Sequence, residues 1–321
     1  MCGPGALQGL PTLTDVAAEA DVDHAADAAD VRVWWQRHGL PGLLDVHVHF
    51  MAPPVQRAVW SVFDAAGPKI GRPWPIRYRG TDEQRLAWLR DFGVRRFSGL
   101  PYAHKPGVAG FLNAWAADFA ARVPEALWSA TFYPEPEAPA YVAELVDAGV
   151  EVFKVHVQVG EFRLDEPVLD PVWGLLADAG VPVVIHAGSG PVAGTHTGPD
   201  PLAAVLARHP RLVAIVAHLG APEYAEFLAL AAAYPRVHLD TTMAFTDFFE
   251  AGGGFPRELL PRLADLGERV LLGSDFPTIP YPYVHQLEAL ERLDLGAGWL
   301  RAVCWDNAAR LFGAEPRTVR E

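Results

Sequence analysis

The sequence predicts an α/β chain closed into a (β/α)8 TIM barrel, on three observations. Eight short apolar runs alternate with helical patterns along most of the 321 residues. Such alternation implies a parallel sheet with right-handed crossovers, and eight units favour a closed barrel over an open doubly wound sheet. Half of the residues are apolar and a fifth are charged, which supplies a large core. No Gly-x-Gly-x-x-Gly turn follows the first run, as a dinucleotide-binding sheet would require.

Residues 1–40 read as an N-terminal extension, Ala-, Asp- and Gly-rich at its start, and residues 41–321 as the barrel. The strand-like runs are Leu43–Val48, Arg95–Leu100, Leu127–Phe132, Val150–Val157, Val181–His186, Leu212–Ala217, Val237–Asp240 and Val270–Ser274. The insert from Met51 to Arg79, rich in Pro, Gly and Trp, reads as a long loop over the C-terminal mouth, where barrel active sites lie. Thr81-Asp82-Glu83-Gln84 has capping-box spacing before Leu86, Trp88 and Leu89. Pro139–Leu145 and Leu175–Ala179 are helical stretches followed by Gly149 and Gly180, natural helix stops before the next strand. Asp200–His209 and Glu223–Tyr234 supply further helices, and a C-terminal helix closes the pattern.

The net charge of −13 argues against a nucleic-acid surface, which needs clustered basic groups, and is compatible with a cation site. Only Lys69, Lys105 and Lys154 among the 26 basic residues are lysines. Cys2 and Cys304 offer neither a disulfide framework nor a cysteine metal motif. No basic start with an apolar core suggests a signal peptide, and no run reaches the ~20 apolar residues of a membrane span. The expectation is a cytoplasmic protein acting on a small molecule, with a homodimer the commonest assembly.

The polar residues at the ends of the runs carry the chemistry. His47 and His49, two apart on one strand, share a face, as a divalent transition metal requires of a first ligand pair. The fourth run carries Lys154 and His156, the fifth ends in His186, the sixth in His218 and the eighth in Asp275. One histidine after an apolar run is readily a hydrogen-bonded end residue, and Asp275 could cap a helix. Histidines at the ends of four strands of one barrel are better read together, as a metal site. Tyr102 and His104 follow the second run at the same mouth, as substrate contacts or as a solvated loop. Asp240 either orients a ligand or begins a loop. His24, His38, His196, His209, His238 and His285 read as ordinary structural histidines, His196 sitting in a Gly-Thr-His-Thr-Gly loop.

With Asp45-x-His47-x-His49, Val184-Ile185-His186-Ala187-Gly188, Ala217-His218-Leu219-Gly220, Gly273-Ser274-Asp275-Phe276-Pro277 and Asn307–Phe312 in this order, the chain resembles the amidohydrolase superfamily. Within it the likeness is to the amidohydrolase-related branch that contains aminocarboxymuconate-semialdehyde decarboxylase. The resemblance implies that His47, His49, His186 and Asp275 hold one divalent metal, zinc first and manganese second. It also implies that His218 is the catalytic histidine. Lys154 stands where other branches carry a metal-bridging carboxylated lysine. In this mononuclear branch, Lys154 and His156 are expected to orient ligands or contact substrate.

Such a site lowers the pKa of water at an open metal position from ~16 towards ~7, with Asp275 as proton acceptor and His218 polarising the substrate or moving a proton. Hydrolysis of an amide, ester or lactone is the leading expectation. Non-oxidative decarboxylation of a small aromatic or unsaturated carboxylic acid is the alternative, since a fold does not choose between reactions. A decarboxylase would want a cation for the carboxylate, with Lys154, Lys105, Arg57, Arg72, Arg77 and Arg79 as candidates.

Overall fold

The structure, a computed structural model, describes residues 23–251 and 254–316. Most of the expected N-terminal extension and Cys2 therefore lie outside the described residues, while Cys304 is buried with its thiol free. Strands follow all eight apolar runs: β1 (Leu43–Asp45), β2 (Val94–Ser98), β3 (Ala126–Leu127) with β4 (Ser129–Thr131), β5 (Val152–His156), β6 (Val183–His186), β7 (Ala214–Val216), β8 (Val237–Asp240) and β9 (Val270–Leu271). Neighbours pair in parallel, in the orders β1-β2-β3 and β4 to β9. Parallel strands covered on both faces read as unbroken apolar runs, as in Val183-Val184-Ile185, all buried.

The third run is split at Trp128. Its first half pairs with β2 (Phe97 opposite Ala126) and its second with β5 (Thr131 opposite Lys154). Side-chain hydroxyls carry hydrogen bonds across this part of the barrel. Ser129 Oγ accepts from Gly99 N at 3.0 Å, Ser98 Oγ accepts from Val48 N at 3.2 Å, and Thr131 Oγ1 donates to Lys154 O at 2.8 Å. Each satisfies a buried backbone group that a regular ladder would otherwise serve.

Closure falls between the last strand and the first. Val46 N donates to Leu272 O (2.9 Å), Asp275 N to His47 O (2.9 Å) and His49 N to Phe276 O (2.8 Å), with a parallel bridge between Val48 and Phe276. Regular pairing in β1 stops at Asp45, earlier than the predicted Val48. The reason is local: the buried Asp45 carboxylate takes the N–H groups of His47 and Ser274 (3.1 Å each) and the hydroxyls of Ser274 (2.5 Å) and Tyr283 (2.7 Å). Burial is the largest influence on Asp45 and raises its pKa to about 7 against the pull of these hydrogen bonds.

Leu44, Val46, Leu127, Val152, Val184 and Ile215 form one cluster inside the barrel, and Ala308 of the helix Asn307–Phe312 joins it. That C-terminal helix is fastened by Asn307 Nδ2, which donates to Gly267 O and Val270 O at 2.7 Å each. At the other end of the chain, the helix His24–Arg37 packs on the helices Asp82–Phe92 and Tyr283–Glu291. Asp27 receives Arg77 (2.8 Å) and the Tyr78 hydroxyl (2.8 Å), and Trp34 Nε1 donates to Glu291 (2.8 Å). The capping box forms as the spacing predicts, with Thr81 N donating to Gln84 Oε1 at 2.9 Å. Among the described residues no helix is long and apolar enough to cross a membrane.

The insert after β1 departs from expectation. Instead of a loop it carries the helix Pro53–Asp64 and a further turn, Gly67–Ile70. Pro53 and Pro54 occupy the first helical turn, where a missing N–H costs nothing, so the prolines that suggested a loop start a helix.

Candidate metal centre and active site

The mouth of the barrel gathers the polar strand ends predicted from the sequence. His47 and His49 lie just past β1, with ring centroids 5.1 Å apart. Asp275 arrives from beyond β9, its Oδ1 3.0 Å from His49 Nε2 and 3.7 Å from His47 Nε2. One donor atom from each of these three residues lies within 4.8 Å of the others.

The partners behind the ligating atoms fix their protons. His47 Nδ1 faces Asp240 Oδ2 at 2.9 Å, and His49 Nδ1 faces Leu100 O at 2.9 Å. A carbonyl and a carboxylate only accept, so each ring places its proton on Nδ1 and turns a lone pair on Nε2 towards Asp275. Lone pairs and a carboxylate converging at these distances call for a cation between them. The donor set of two imidazoles and one carboxylate fits a divalent transition metal.

Asp240 does more than orient His47. Its other oxygen accepts from His218 N (2.9 Å) and Thr242 N (3.1 Å), joining the site's two halves. Burial works against its charge, but His47 and His218 more than offset it and hold the carboxyl far below the usual range. Asp275 is likewise held far down, burial being outweighed by its neighbours His49, His47 and His218. Burial, with Lys154 alongside, lowers His47 to about 4, and burial beside His47 takes His218 to about 4.

Two site residues have left-handed backbones, uncommon for side chains other than glycine: His218 (φ 55°) and Asp275 (φ 74°). Each has its N–H tied down, His218 by Asp240 and Asp275 by the His47 carbonyl. Strain held in place by specific partners is a mark of functional positions. β7 and β9 end at Val216 and Leu271, sooner than their apolar runs, as the backbone approaches these two residues. Beside them Gly273 has no room for a side chain: a Cβ would lie 2.2 Å from Thr242 Oγ1 and 2.8 Å from His47 Cβ.

His218 Nδ1 faces Thr242 O at 3.0 Å, which leaves Nε2 to the cavity that the ring lines. His186 lines the same cavity, with its ring centroid 4.7 Å from that of His218. Its Nε2, however, is directed at Gly190 O (3.1 Å) and its ring stacks on His156 at 3.9 Å, so it stands beside the three-donor cluster. Lys154 is 0 % exposed, and its Nζ lies 3.3 Å from His47 Nε2. Burial lowers the ammonium to about 8, although Asp240 and Asp275 pull the other way. Tyr102 packs between His49 (5.7 Å) and His156 (5.3 Å), and His104 lines the same cavity.

The cavity above this floor measures about 530 Å³. Of the cations considered from sequence, Lys154 lines it. Arg77 pairs with Asp27, Arg79 with Asp64, and Arg72 lies over the Phe248 ring at 4.3 Å. Sequence reasoning missed Lys69 at the cavity wall and the roles of Met243 and Phe249 there. None of these sits at a strand end, so no pattern marked them. The six histidines read as ordinary are absent from the cavity wall among the described residues; His24 stacks on Trp88 at 4.0 Å and His209 meets Asp170 at 3.0 Å.

The chain belongs to the amidohydrolase family, whose model matches residues 44–314. Solved structures share the fold. One is an uncharacterized TIM-barrel protein from Bordetella bronchiseptica (19% identity over 84% of this chain and 98% of that one, TM-score 0.68). Another is 2,6-dihydroxybenzoate decarboxylase complexed with 2,6-dihydroxybenzoate (18%, 85% and 99%, TM-score 0.60). A third is 5-carboxyvanillate decarboxylase from Novosphingobium aromaticivorans, complexed with manganese and 4-hydroxy-3-methoxy-5-nitrobenzoic acid (16%, 86% and 96%, TM-score 0.58). No curated protein matches the sequence.

Proposed function

We propose that this amidohydrolase-family protein is a metal-dependent, non-oxidative decarboxylase. The observation that carries the reading is the buried ammonium of Lys154, beside the His47–His49–Asp275 cluster at the floor of the cavity. Asp240 and Asp275 pull on this ammonium but also serve His47, His49 and His218, and a substrate carboxylate would add a counter-charge of its own. Hydrolysis consumes a water in each turnover, whereas loss of carbon dioxide needs only a proton, which suits a chamber with apolar walls. The two decarboxylases of the same fold give this order of preference further support, and hydrolysis becomes the second reading.

A divalent metal on His47, His49 and Asp275 would polarise oxygens of a bound acid. Zinc and manganese both suit the donors, and manganese is the metal in one structural neighbour. Asp240 and Leu100 keep the two imidazoles in the tautomer that offers Nε2. Lys154 holds the carboxylate. The bond from that carboxyl carbon to the rest of the molecule breaks, its electron pair stays on the remaining carbon, and that carbon takes a proton as carbon dioxide leaves. His218, its Nδ1 proton committed to Thr242, offers its free Nε2 to pass a proton from solvent to that carbon. His186 is the proposed fourth ligand, reached by a turn of its ring away from Gly190.

The test is a panel of carboxylic acids, esters, lactones and amides, assayed separately for released carbon dioxide and released acid. Carbon dioxide from an acid, lost in Lys154→Met with metal content unchanged, is the expected result. Turnover confined to esters, lactones or amides would overturn the reading in favour of hydrolysis.

A further inference from the structure

The helix Pro53–Asp64 is amphipathic, but its apolar face is only partly buried against protein. Val55, Val59, Val62 and Phe63 recur at helical spacing, and all four line the cavity. The helix's one buried residue is the polar Gln56, whose Oε1 receives Arg85 at 2.7 Å, while Val62 is 66 % exposed. An apolar stripe left open to a cavity forgoes about 25 cal/mol for each Å² it could bury. At about 1.5 Å per residue the stripe runs for about 12 Å. Ile70, Trp74, Val192 and Phe249 line the same cavity. The cavity of about 530 Å³ lies within the range, about 300–1,000 Å³, that encloses drug-sized ligands. One aromatic ring with its carboxylate would sit on the floor and leave the stripe uncovered.

We infer that the substrate is a bulky, mostly apolar carboxylic acid, bicyclic or longer. Its carboxylate sits at the Lys154 floor and its apolar body lies under the helix Pro53–Asp64. The orientation rests on the decarboxylase reading; the size and polarity rest on the helix alone. The acid is therefore larger than the single-ring ligands bound in the two structural neighbours.

Binding of 1-hydroxy-2-naphthoate and 2-hydroxybenzoate to the metal-loaded protein tests this, because the two acids share one head group. The naphthoate should bind at least tenfold tighter. Val62→Asp, at an exposed site that folding tolerates, should remove that advantage and leave 2-hydroxybenzoate within twofold. Val59→Trp, filling the chamber, should do the same. Equal affinities, tighter binding of the single ring, no binding of either acid, or a naphthoate advantage that survives Val62→Asp would overturn the inference. Carbon dioxide release, measured in the same samples, separates the two claims. Selective binding without release keeps the substrate class and sinks the decarboxylase reading. Release from both acids without selectivity does the reverse.

Discussion

His49 and Asp275 meet as an imidazole lone pair and a carboxylate oxygen 3.0 Å apart, and that encounter governs what single substitutions should do. His218 takes no part in the three-donor cluster. His218→Ala should therefore keep its metal by elemental analysis while turnover falls at least ~100-fold, within the usual range for a general acid–base group. Activity near wild type would remove His218 from the chemistry. Gly273→Ala forces a methyl group into Thr242 Oγ1 and the His47 side chain. It should cost about 1–3 kcal/mol in denaturant unfolding and weaken metal binding with it. At this scale the sequence was readable where function coincides with a strand end. His47, His49, His186, His218 and Asp275 each follow an apolar run, and the structure sets all five around one cavity. Asp45 stands out in the sequence only as the first residue of a motif. Its partner Tyr283 lies 238 residues away, and no local pattern announces such a pairing.

At the scale of elements, a buried polar chain runs behind the metal centre. Asp27 accepts from the Tyr78 hydroxyl, the Tyr78 oxygen accepts from Tyr283 N (2.8 Å), and Tyr283 donates to Asp45 (2.7 Å). Tyr78→Phe leaves the Tyr283 N–H buried without its acceptor, a loss of about 1–3 kcal/mol. Urea unfolding should register it, and a double-mutant cycle with Asp27→Asn should show coupling between the two sites. Independent, additive effects would break the chain at that link. Strands were legible because parallel, doubly covered strands are unbroken apolar runs; their ends were not. Apolar residues continue past Val216 and Leu271 while the backbone turns left-handed under tertiary restraint. The helix Pro53–Asp64 is not legible in the sequence, because Pro-Pro signals a break in most places and a beginning at this one.

At the scale of the whole molecule, acid should unfold the protein from within. Burial lowers His238 from 6.5 to about 4, with Arg269 and Arg310 adding to the effect, and its Nδ1 has no hydrogen-bond partner. Between pH 6.5 and pH 4 the unfolded chain binds a proton that the folded one refuses, so stability falls as pH falls through that window. His238→Phe should flatten this slope, seen as a smaller drop in Tm from pH 7.5 to pH 5; an unchanged drop would refute the assignment. Metal should act in the opposite direction. A chelator should lower Tm, and His49→Ala should abolish the difference between chelated and loaded protein, since a ligand bound only by the folded state stabilises by mass action. The barrel's closure by its own two ends has a consequence for synthesis. His47 and His49 are made early, but Asp275 follows about 225 residues later, roughly 10–45 s at ~5–20 residues per second. Until then the nascent chain offers a metal the two imidazoles without the Asp275 carboxylate, and the helix His24–Arg37 has no Tyr283–Glu291 to dock on. The metal centre is completed by the last quarter of the chain, so loading belongs to the finished protein rather than to the ribosome.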